Sequence, residues 1–447
     1  MSQTIFKLVE NSETHEDICK TLVSNGLIYR NYPELGLYLI KYNKLKADFE
    51  NDEVSKCRGL VCEMGTNKIV GVPPYKSVNK DSHLTNESIE QFKFQEYLDG
   101  TMINLFHYEG AKFTGWLIST RSTIGANCRW TSDKMFSDLF SEAKGFDYSV
   151  FNKEYTYTFV LQHPDNRIVT NFTEPRLVLV EVTRNSDLTT TDTLVSETRD
   201  YLKEHGINIE IPNEYTFTNT EEIETFIEKS SYEVQGIIGK LRSNNKIRIK
   251  ARNSKYNFVK TLKGNSNDYL VTYLDLMKSN YLNEYLAFFP EQKDKFIKFN
   301  GVLFEIINKT FNYYMDRHVK KTKGTKDLPF IYRPIVYELH GNFLENHIKT
   351  TPEVVKNYIY NLPTRRQVFL ITNKDKDYSV LEANKKKWES GIRLVLTCKS
   401  CEDSIYSSFE GELVECKCKL VAVEQTKFNT RSIGKESDFT VNYSKIT

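Results

Sequence analysis

Residues 92–108 read Phe92-Lys93-Phe94-Gln95-Glu96-Tyr97-Leu98-Asp99-Gly100-Thr101-Met102-Ile103-Asn104-Leu105-Phe106-His107-Tyr108, and this stretch decides the fold. Short alternating or β-branched runs rich in apolar residues lie on both sides of Asp99-Gly100, the pattern of strands, so they predict strands over 92–98 and 102–108. Working outward, similar short runs recur at 37–41, 60–63, 113–119, 155–162, 177–183 and 246–251. Helices interrupt them. Residues 131–145 set Met135, Phe136, Leu139 and Phe140 on one face, and Thr218 with Glu221 forms a capping box ahead of Ile223, Phe226 and Ile227. Strands first paired and then interleaved with helices predict an α+β domain with antiparallel sheets.

Beyond Gly264 the period changes. Residues 269–286, 296–318, 332–348 and 354–362 carry apolar side chains at three- and four-residue spacing, punctuated by Pro290, Pro334, Pro352 and Pro363. That is a helical domain, with 320–326 (KKTKGTK) as an exposed basic loop. After 385–387 the chain turns to short strands around a cysteine cluster. The expected organisation is an α+β domain with antiparallel sheets over 1–263, an all-α domain over 264–390 and a small Cys-rich module over 391–447.

The 447 residues hold 61 Lys+Arg against 59 Asp+Glu, a net charge of +2 that excludes a uniformly basic nucleic-acid coat and an acidic disordered tail. The apolar runs, such as 177–180, fall far short of the ~18 residues a membrane span needs, so no membrane partner is expected. The opening MSQTIFKLVENSETHE lacks the basic-then-apolar pattern of a secretory signal. The expectation is a soluble cytoplasmic protein.

Eight cysteines are too few for a disulfide scaffold. Cys19, Cys57, Cys62 and Cys128 are scattered and read as buried free thiols. Cys398-x2-Cys401, fourteen residues and Cys416-x-Cys418 read as two knuckles giving four thiolates, a set suited to tetrahedral Zn²⁺. Four sulfur ligands leave no open position, so the role would be structural. The alternative is four reduced thiols in a β-hairpin.

Residues 240–263 contain nine Lys or Arg and no acid. Within them Lys246, Arg248, Lys250 and Arg252 alternate with Ile247, Ile249 and Ala251. On a strand, period two puts the four cations on one face and the apolar residues inward. Such neighbours repel unless a polyanion lies across them. The reading is a phosphate-binding groove, against the plainer one of a solvated face.

The order of short motifs carries more. Cys57-Arg58-Gly59-Leu60-Val61 precedes Glu96-Tyr97-Leu98-Asp99-Gly100-Thr101, then Ile118-Ser119-Thr120-Arg121-Ser122. His163-Pro164-Asp165-Asn166-Arg167-Ile168-Val169, the LVLVEVTRN of 177–185, Gln235-Gly236-Ile237-Ile238 and Arg248-Ile249-Lys250-Ala251 follow. In this order, over roughly residues 50–265, they resemble the adenylyltransferase domain of the T4 RNA ligase 1-like family, within the covalent nucleotidyltransferase superfamily. The resemblance implies an ATP-grasp-like two-sheet nucleotidyltransferase fold. It also implies ATP and Mg²⁺ as cofactors, and RNA, in single-stranded or tRNA-like ends, as partner. In that family a lysine of K-x-D-G attacks the α-phosphorus of ATP, and the AMP passes to an RNA 5′-phosphate before a 3′-hydroxyl displaces it. The amine needs burial and neighbouring cations to be neutral, and the K-x-K cations neutralise shifting phosphate charge.

This sequence departs from that pattern at three places. Tyr97 stands where the lysine belongs, Val160 with Gln162 nearby where the first glutamate belongs, and Gln235 where the second belongs. A phenol cannot form a phosphoramidate. Lys93 shares strand parity with Tyr97 but lies about 13 Å away at ~3.3 Å per residue. The pattern is similar to lysine-less relatives in large DNA viruses, which would place the protein in a host cytoplasm. Tyr97 and Asp99 are thus the candidate catalytic positions, with Arg58, Glu96, Gly100, Arg121, Arg167, Gln235, Arg248 and Lys250 as phosphate-binding candidates. Trp116 and Trp130 could stack on bases, and His163 reads as a cap for the Pro164–Asn166 turn. Three functions are open: an RNA ligase joining or repairing RNA ends with ATP, a pseudo-ligase that binds RNA or nucleotide as a sensor or assembly factor, and a platform whose helical domain docks a protein.

Overall fold

In the computed structural model, residues 4–446 are described apart from 83, 131, 377 and 428, with side chains omitted at 244, 379–382 and 436. The chain divides into two compact units, Met1–Thr272 with Asn280–Pro290, and Tyr273–Ser279 with Glu291–Thr447.

Alternating residues in the first unit build three sheets. Leu27–Tyr32 (β1), Leu37–Tyr42 (β2), Arg58–Glu63 (β3) and Ile69–Gly71 (β4) pair in that order, antiparallel throughout. Val78–Asn79 (β5) and Phe92–Glu96 (β6) belong to a second sheet, and Thr101–Glu109 (β7) and Thr114–Ser119 (β8) to a third. Tyr155–Gln162 (β9) and Arg176–Arg184 (β10) complete the third sheet in the order β10-β9-β7-β8. Glu214–Tyr215 (β11), Gly236–Leu241 (β12) and Asn244–Arg252 (β13) complete the second, in the order β11-β6-β12-β13-β5. β9 has strands on both sides and is almost wholly buried, which explains its run of Tyr, Phe, Val and Leu. The first sheet packs on the third through Leu37, Leu39, Val61, Val70, Phe106 and Tyr108.

All eight expected strands form. Two helix starts differ. The helix expected over 131–145 runs Phe136–Ala143, beginning where the Asp138 carboxylate accepts the Met135 N–H at 2.9 Å; Thr131 lies outside the described residues. The capping box sits one residue later than Thr218/Glu221: Asn219 accepts from the Glu222 N–H at 2.9 Å and the Glu222 carboxylate from the Thr218 N–H at 2.8 Å.

The expected helix over 269–286 is broken into Tyr269–Ser279 and Leu282–Phe288 by Asn280, at φ +61°. In the second unit, Lys293–Tyr314 buries Phe296, Leu303, Ile306, Ile307, Thr310 and Tyr314, a three- to four-residue spacing, and runs into a π turn at Met315–Val319. Arg333–Asn346 and Pro352–Asn361 match expectation, while Thr364–Asn373 and Ser379–Glu389 are additional. Ile392–Cys398 (β14), Ser404–Ile405 (β15), Leu413–Glu415 (β16), Ala422–Gln425 (β17), Thr430–Ile433 (β18) and Phe439–Lys445 (β19) form two three-stranded sheets, β15-β14-β19 and β16-β17-β18. No helix among the described residues is long and apolar enough to cross a membrane.

Candidate phosphate-binding cleft and cysteine site

The second sheet arranges side chains as a grid. The Tyr97 N–H donates to the Gly236 carbonyl at 3.0 Å, and Gly236 stands opposite Arg252. One step along, Gln95, Ile238 and Lys250 are abreast; one further, Lys93, Lys240 and Arg248 are. Period two therefore turns Gln95, Tyr97, Lys240, Arg248, Lys250 and Arg252 to the same side, where they line a cleft of ≈ 550 Å³.

Other segments bring cations to the same space. Gly59 has φ +107°, and a Cβ there would come within 2.9 Å of the Arg121 Cα. Only glycine lets β3 approach this closely, and the approach seats Arg58 and Arg121 together on the cleft wall. Gly100, at φ +140°, has the same reason: a Cβ would lie 2.6 Å from the Leu161 carbonyl oxygen. Lys44, Lys76 and Lys260 complete the lining.

Two of the cations are neutralised from beneath. Arg248 is buried against the buried Glu181, and its Nε donates to the Asn245 carbonyl at 2.9 Å. Lys240 is buried and reaches Asp192 at 3.4 Å and the Val180 carbonyl at 3.1 Å. The other seven, Lys44, Arg58, Lys76, Arg121, Lys250, Arg252 and Lys260, line the cleft without an ion-pair partner among the described residues. Their partners are neutral: Lys250 Nζ donates to the Ser77 carbonyl at 2.6 Å, Arg121 to the Tyr42 carbonyl at 3.2 Å and Arg252 to the Tyr97 hydroxyl at 3.3 Å. Lys76 lies 3.2 Å from the Phe49 ring centroid. Crowding has an electrostatic cost. Burial, then Arg252, Lys76, Arg58 and Lys44, pulls the Lys250 amine down to about 8. Burial, then Arg121, Lys260, Arg252 and Arg58, lowers Lys44.

The candidates sort into three groups. Arg58, Gly100, Arg121, Gln235, Arg248, Lys250 and Tyr97 converge on the cleft. Asp99 lines it too, but both carboxylate oxygens are engaged: one accepts from the Val169 and Thr170 N–H groups at 3.0 and 2.9 Å, the other from the Tyr256 hydroxyl at 2.8 Å. It ties the link between β6 and β7 to the 167–170 loop and the helix Ser254–Lys263. Glu96 and Arg167 lie outside. Strand alternation turns Glu96 to the opposite face, where it accepts from Asn213 at 2.9 Å. Arg167 donates to the Phe288 carbonyl at 2.8 Å, 4.6 Å from the Phe289 ring centroid.

The uniform cationic face expected on β13 is corrected as well. Ile247 is exposed, because the far side of the strand is covered only at Ile249 and Ala251, which pack with Phe94, Ile223 and Ile237, and Arg248 is only 7 % exposed because it is held against the buried Glu181. Lys246 is not part of the lining. Trp116 packs against His107, Phe151 and Tyr157, leaving Trp130 as the exposed one of the pair. His163 caps its turn as expected: Nδ1 accepts the Asp165 N–H at 3.0 Å, and Nε2 faces Glu142 at 3.0 Å. Cys57 and Cys62 are buried, whereas Cys19 and Cys128 are only partly so.

Lys44, Lys76, Lys260 and Glu181 were not singled out from the sequence. Lys260 had a signal, since the acid-free run of 240–263 extends past β13 into the helix Ser254–Lys263. Glu181 lies inside the LVLVEVTRN motif of 177–185, whereas Lys44 and Lys76 had no signal.

In the second unit, the Sγ atoms of Cys398, Cys401, Cys416 and Cys418 lie within 4.8 Å of one another, with Cys418 3.6 Å from Cys398 and 3.5 Å from Cys416. The spacings are too long for disulfides and close to the ~3.8 Å that tetrahedral Zn–S bonds of ~2.3 Å require. The backbone N–H groups of Asp403 and Cys418 lower the Cys401 thiol to about 6. At Cys418 the Leu420 N–H is outweighed by Cys401 and Cys416, which push that thiol up, so the four sulfurs become thiolates together only with a cation among them. The donor set fits Zn²⁺.

No protein-family model matches the chain. It is 28% identical over 215 residues, 43% of this chain and 29% of the relative, to a protein of Autographa californica nuclear polyhedrosis virus described as "Putative bifunctional polynucleotide kinase/RNA ligase". It is 26% identical over 208 residues, 38% of this chain and 46% of the relative, to an RNA ligase of Rhodothermus phage RM378. The matches thus span less than half the length of either relative. Among solved structures, Naegleria gruberi RNA ligase with PPi aligns at a TM-score of 0.32 with 12% identity, over 41% of this chain and 56% of that one.

Proposed function

We propose that this RNA ligase-like chain uses its cleft to grip the phosphates of a nucleotide and of an RNA end, without forming a covalent lysyl-nucleotide at position 97. One observation carries the reading: seven cations without ion-pair partners among the described residues share a single cleft of ≈ 550 Å³. A concentration of one charge sign in a low-dielectric recess focuses field on an anion of opposite sign. Tyr97 supplies no amine, and the Asp99 oxygens are committed to holding the fold. A ligase-derived binding module, acting as sensor or assembly factor, fits both facts. Trp130 offers a stacking face for a base, Zn²⁺ on the four cysteines braces the 391–447 module, and the 264–390 domain provides a surface for RNA shape or a protein partner in the cytoplasm.

The test is binding of labelled ATP and of 5′-phosphorylated RNA at several salt concentrations. Arg58→Ala and Arg252→Ala should each weaken binding about tenfold or more, since hydrogen bonds to charged groups contribute ~1.5–3 kcal/mol. The RNA salt slope should fall by ~0.7 per lost phosphate contact. Affinity unchanged in both variants discards the proposal.

One observation favours a second reading, in which ligation persists. Lys250 lines the cleft with its amine pulled down to about 8 by burial and the surrounding cations, so a nucleophilic fraction exists near neutrality. Its nitrogen would bond to the α-phosphorus, the bond from phosphorus to the bridging oxygen would break, pyrophosphate would leave and the amine proton would pass to solvent. Incubation with α-labelled ATP and a denaturing gel decides this: label retained on the protein and lost in Lys250→Ala supports it, and no label removes it.

A further inference from the structure

We infer that the cleft takes its nucleoside triphosphate as the free polyanion, with wall cations in place of the divalent ion that the family resemblance implies. The inference rests on the nucleotide-binding reading above and specifies the ligand's charge state. A divalent ion such as Mg²⁺ is held at triphosphates by oxygen ligands, ordinarily one or two carboxylates plus the phosphates. The lining offers one carboxylate among the described residues, Asp99. Its oxygens already accept from Val169, Thr170 and Tyr256, and turning one toward an ion would leave buried donors unpaired, which is costly. The two positions where family glutamates belong are Val160 and Gln235, both in the lining. Beneath the floor, Glu181 and Asp192 are engaged by Arg248 and Lys240.

Charge points the same way. Burial first, and the neighbouring cations after it, lower Lys44 and Lys250. A divalent cation entering this field is repelled, whereas a metal-free triphosphate is more negative than its Mg²⁺ complex by the ion's full charge. The residues present therefore do not fit a divalent ion, and they do fit the bare polyphosphate.

Calorimetry on the full chain settles it, with sodium ATP in metal-stripped buffer against the same ATP in excess Mg²⁺, and no chelator, so that the cysteine site keeps its metal. The expected result is binding without Mg²⁺ at an affinity equal to, or up to about tenfold tighter than, that with Mg²⁺. Val160→Glu/Gln235→Glu should reverse the order by restoring carboxylates. Binding that appears only with Mg²⁺ overturns the inference while leaving the nucleotide reading intact. No binding under either condition removes both.

Discussion

The cleft of the first unit and the cysteine site of the second are mirror images in charge. In one, seven cations crowd together without an ion-pair partner among the described residues; in the other, four thiols lie within 4.8 Å of one another. Both arrangements are unfavourable for the bare chain, since groups of like charge resist being desolvated side by side. The difference lies in what closes them. The sulfurs are short, rigidly placed and numerous enough to enclose a small cation completely. The cleft cations are long side chains around an open recess, suited to a large anion that comes and goes. A third arrangement sits behind the cleft: Arg248 with Glu181 and Lys240 with Asp192 are closed by the protein itself. Like charge left unbalanced within a fold therefore points to a ligand, and balanced charge points to architecture.

The largest effect that could break this comparison is at the cysteines. Structural zinc contributes ~10–16 kcal/mol of apparent binding free energy in small domains. The purified protein should hold about one equivalent of zinc, and Cys398→Ser should lose it, with rapid proteolysis confined to the 391–447 module. A metal content well below half an equivalent would contradict the site.

Next in size is the balanced pair. Removing one partner of a buried ion pair costs ~3–5 kcal/mol because the other charge is left buried. Glu181→Ala should lower the unfolding free energy of the first unit by about that amount in urea titrations. A change below about 1 kcal/mol would class Arg248 with the cleft cations instead.

The smallest effect sharpens the cleft itself. The free Lys250 amine loses its proton near 8 in the folded chain and near 10.5 when unfolded. Phosphate prefers the protonated form, so polyphosphate affinity should fall as pH rises through about 8, by roughly tenfold for one charged contact. Unliganded stability should move the other way, rising with pH between the two values, because the unfolded chain binds more protons there. Lys250→Arg, charged throughout, should flatten the binding profile. An identical slope in that variant would assign the pH dependence elsewhere.

Much of the fold was legible before any coordinates. Alternating and β-branched runs placed eight strands, and the three- to four-residue apolar spacing placed the long helices of the second unit. The reading was weaker where local signals compete. Asn280 interrupts an apolar pattern that continues on both sides, and Thr364–Asn373 is marked by only a short periodic run. At the site, the Arg58-Gly59, Asp99-Gly100 and Arg248-x-Lys250 motifs led to the cleft. Glu96, in the Asp99-Gly100 motif, and Arg167, in the 163–169 motif, point elsewhere, because a motif orders residues along the chain while pleat and packing choose the face.

By itself the sequence determined the periods of its strands and helices, the absence of an amine at position 97 and the spacing of four cysteines, since each depends only on neighbours along the chain. Tertiary structure alone decided that Lys44, Lys76 and Lys260 join Arg58 and Lys250, that Glu181 claims Arg248 and that Asp99 is spent on the fold. Those outcomes depend on distances through space between residues far apart in the chain. The energy of a charge is set by what surrounds it, not by what precedes it.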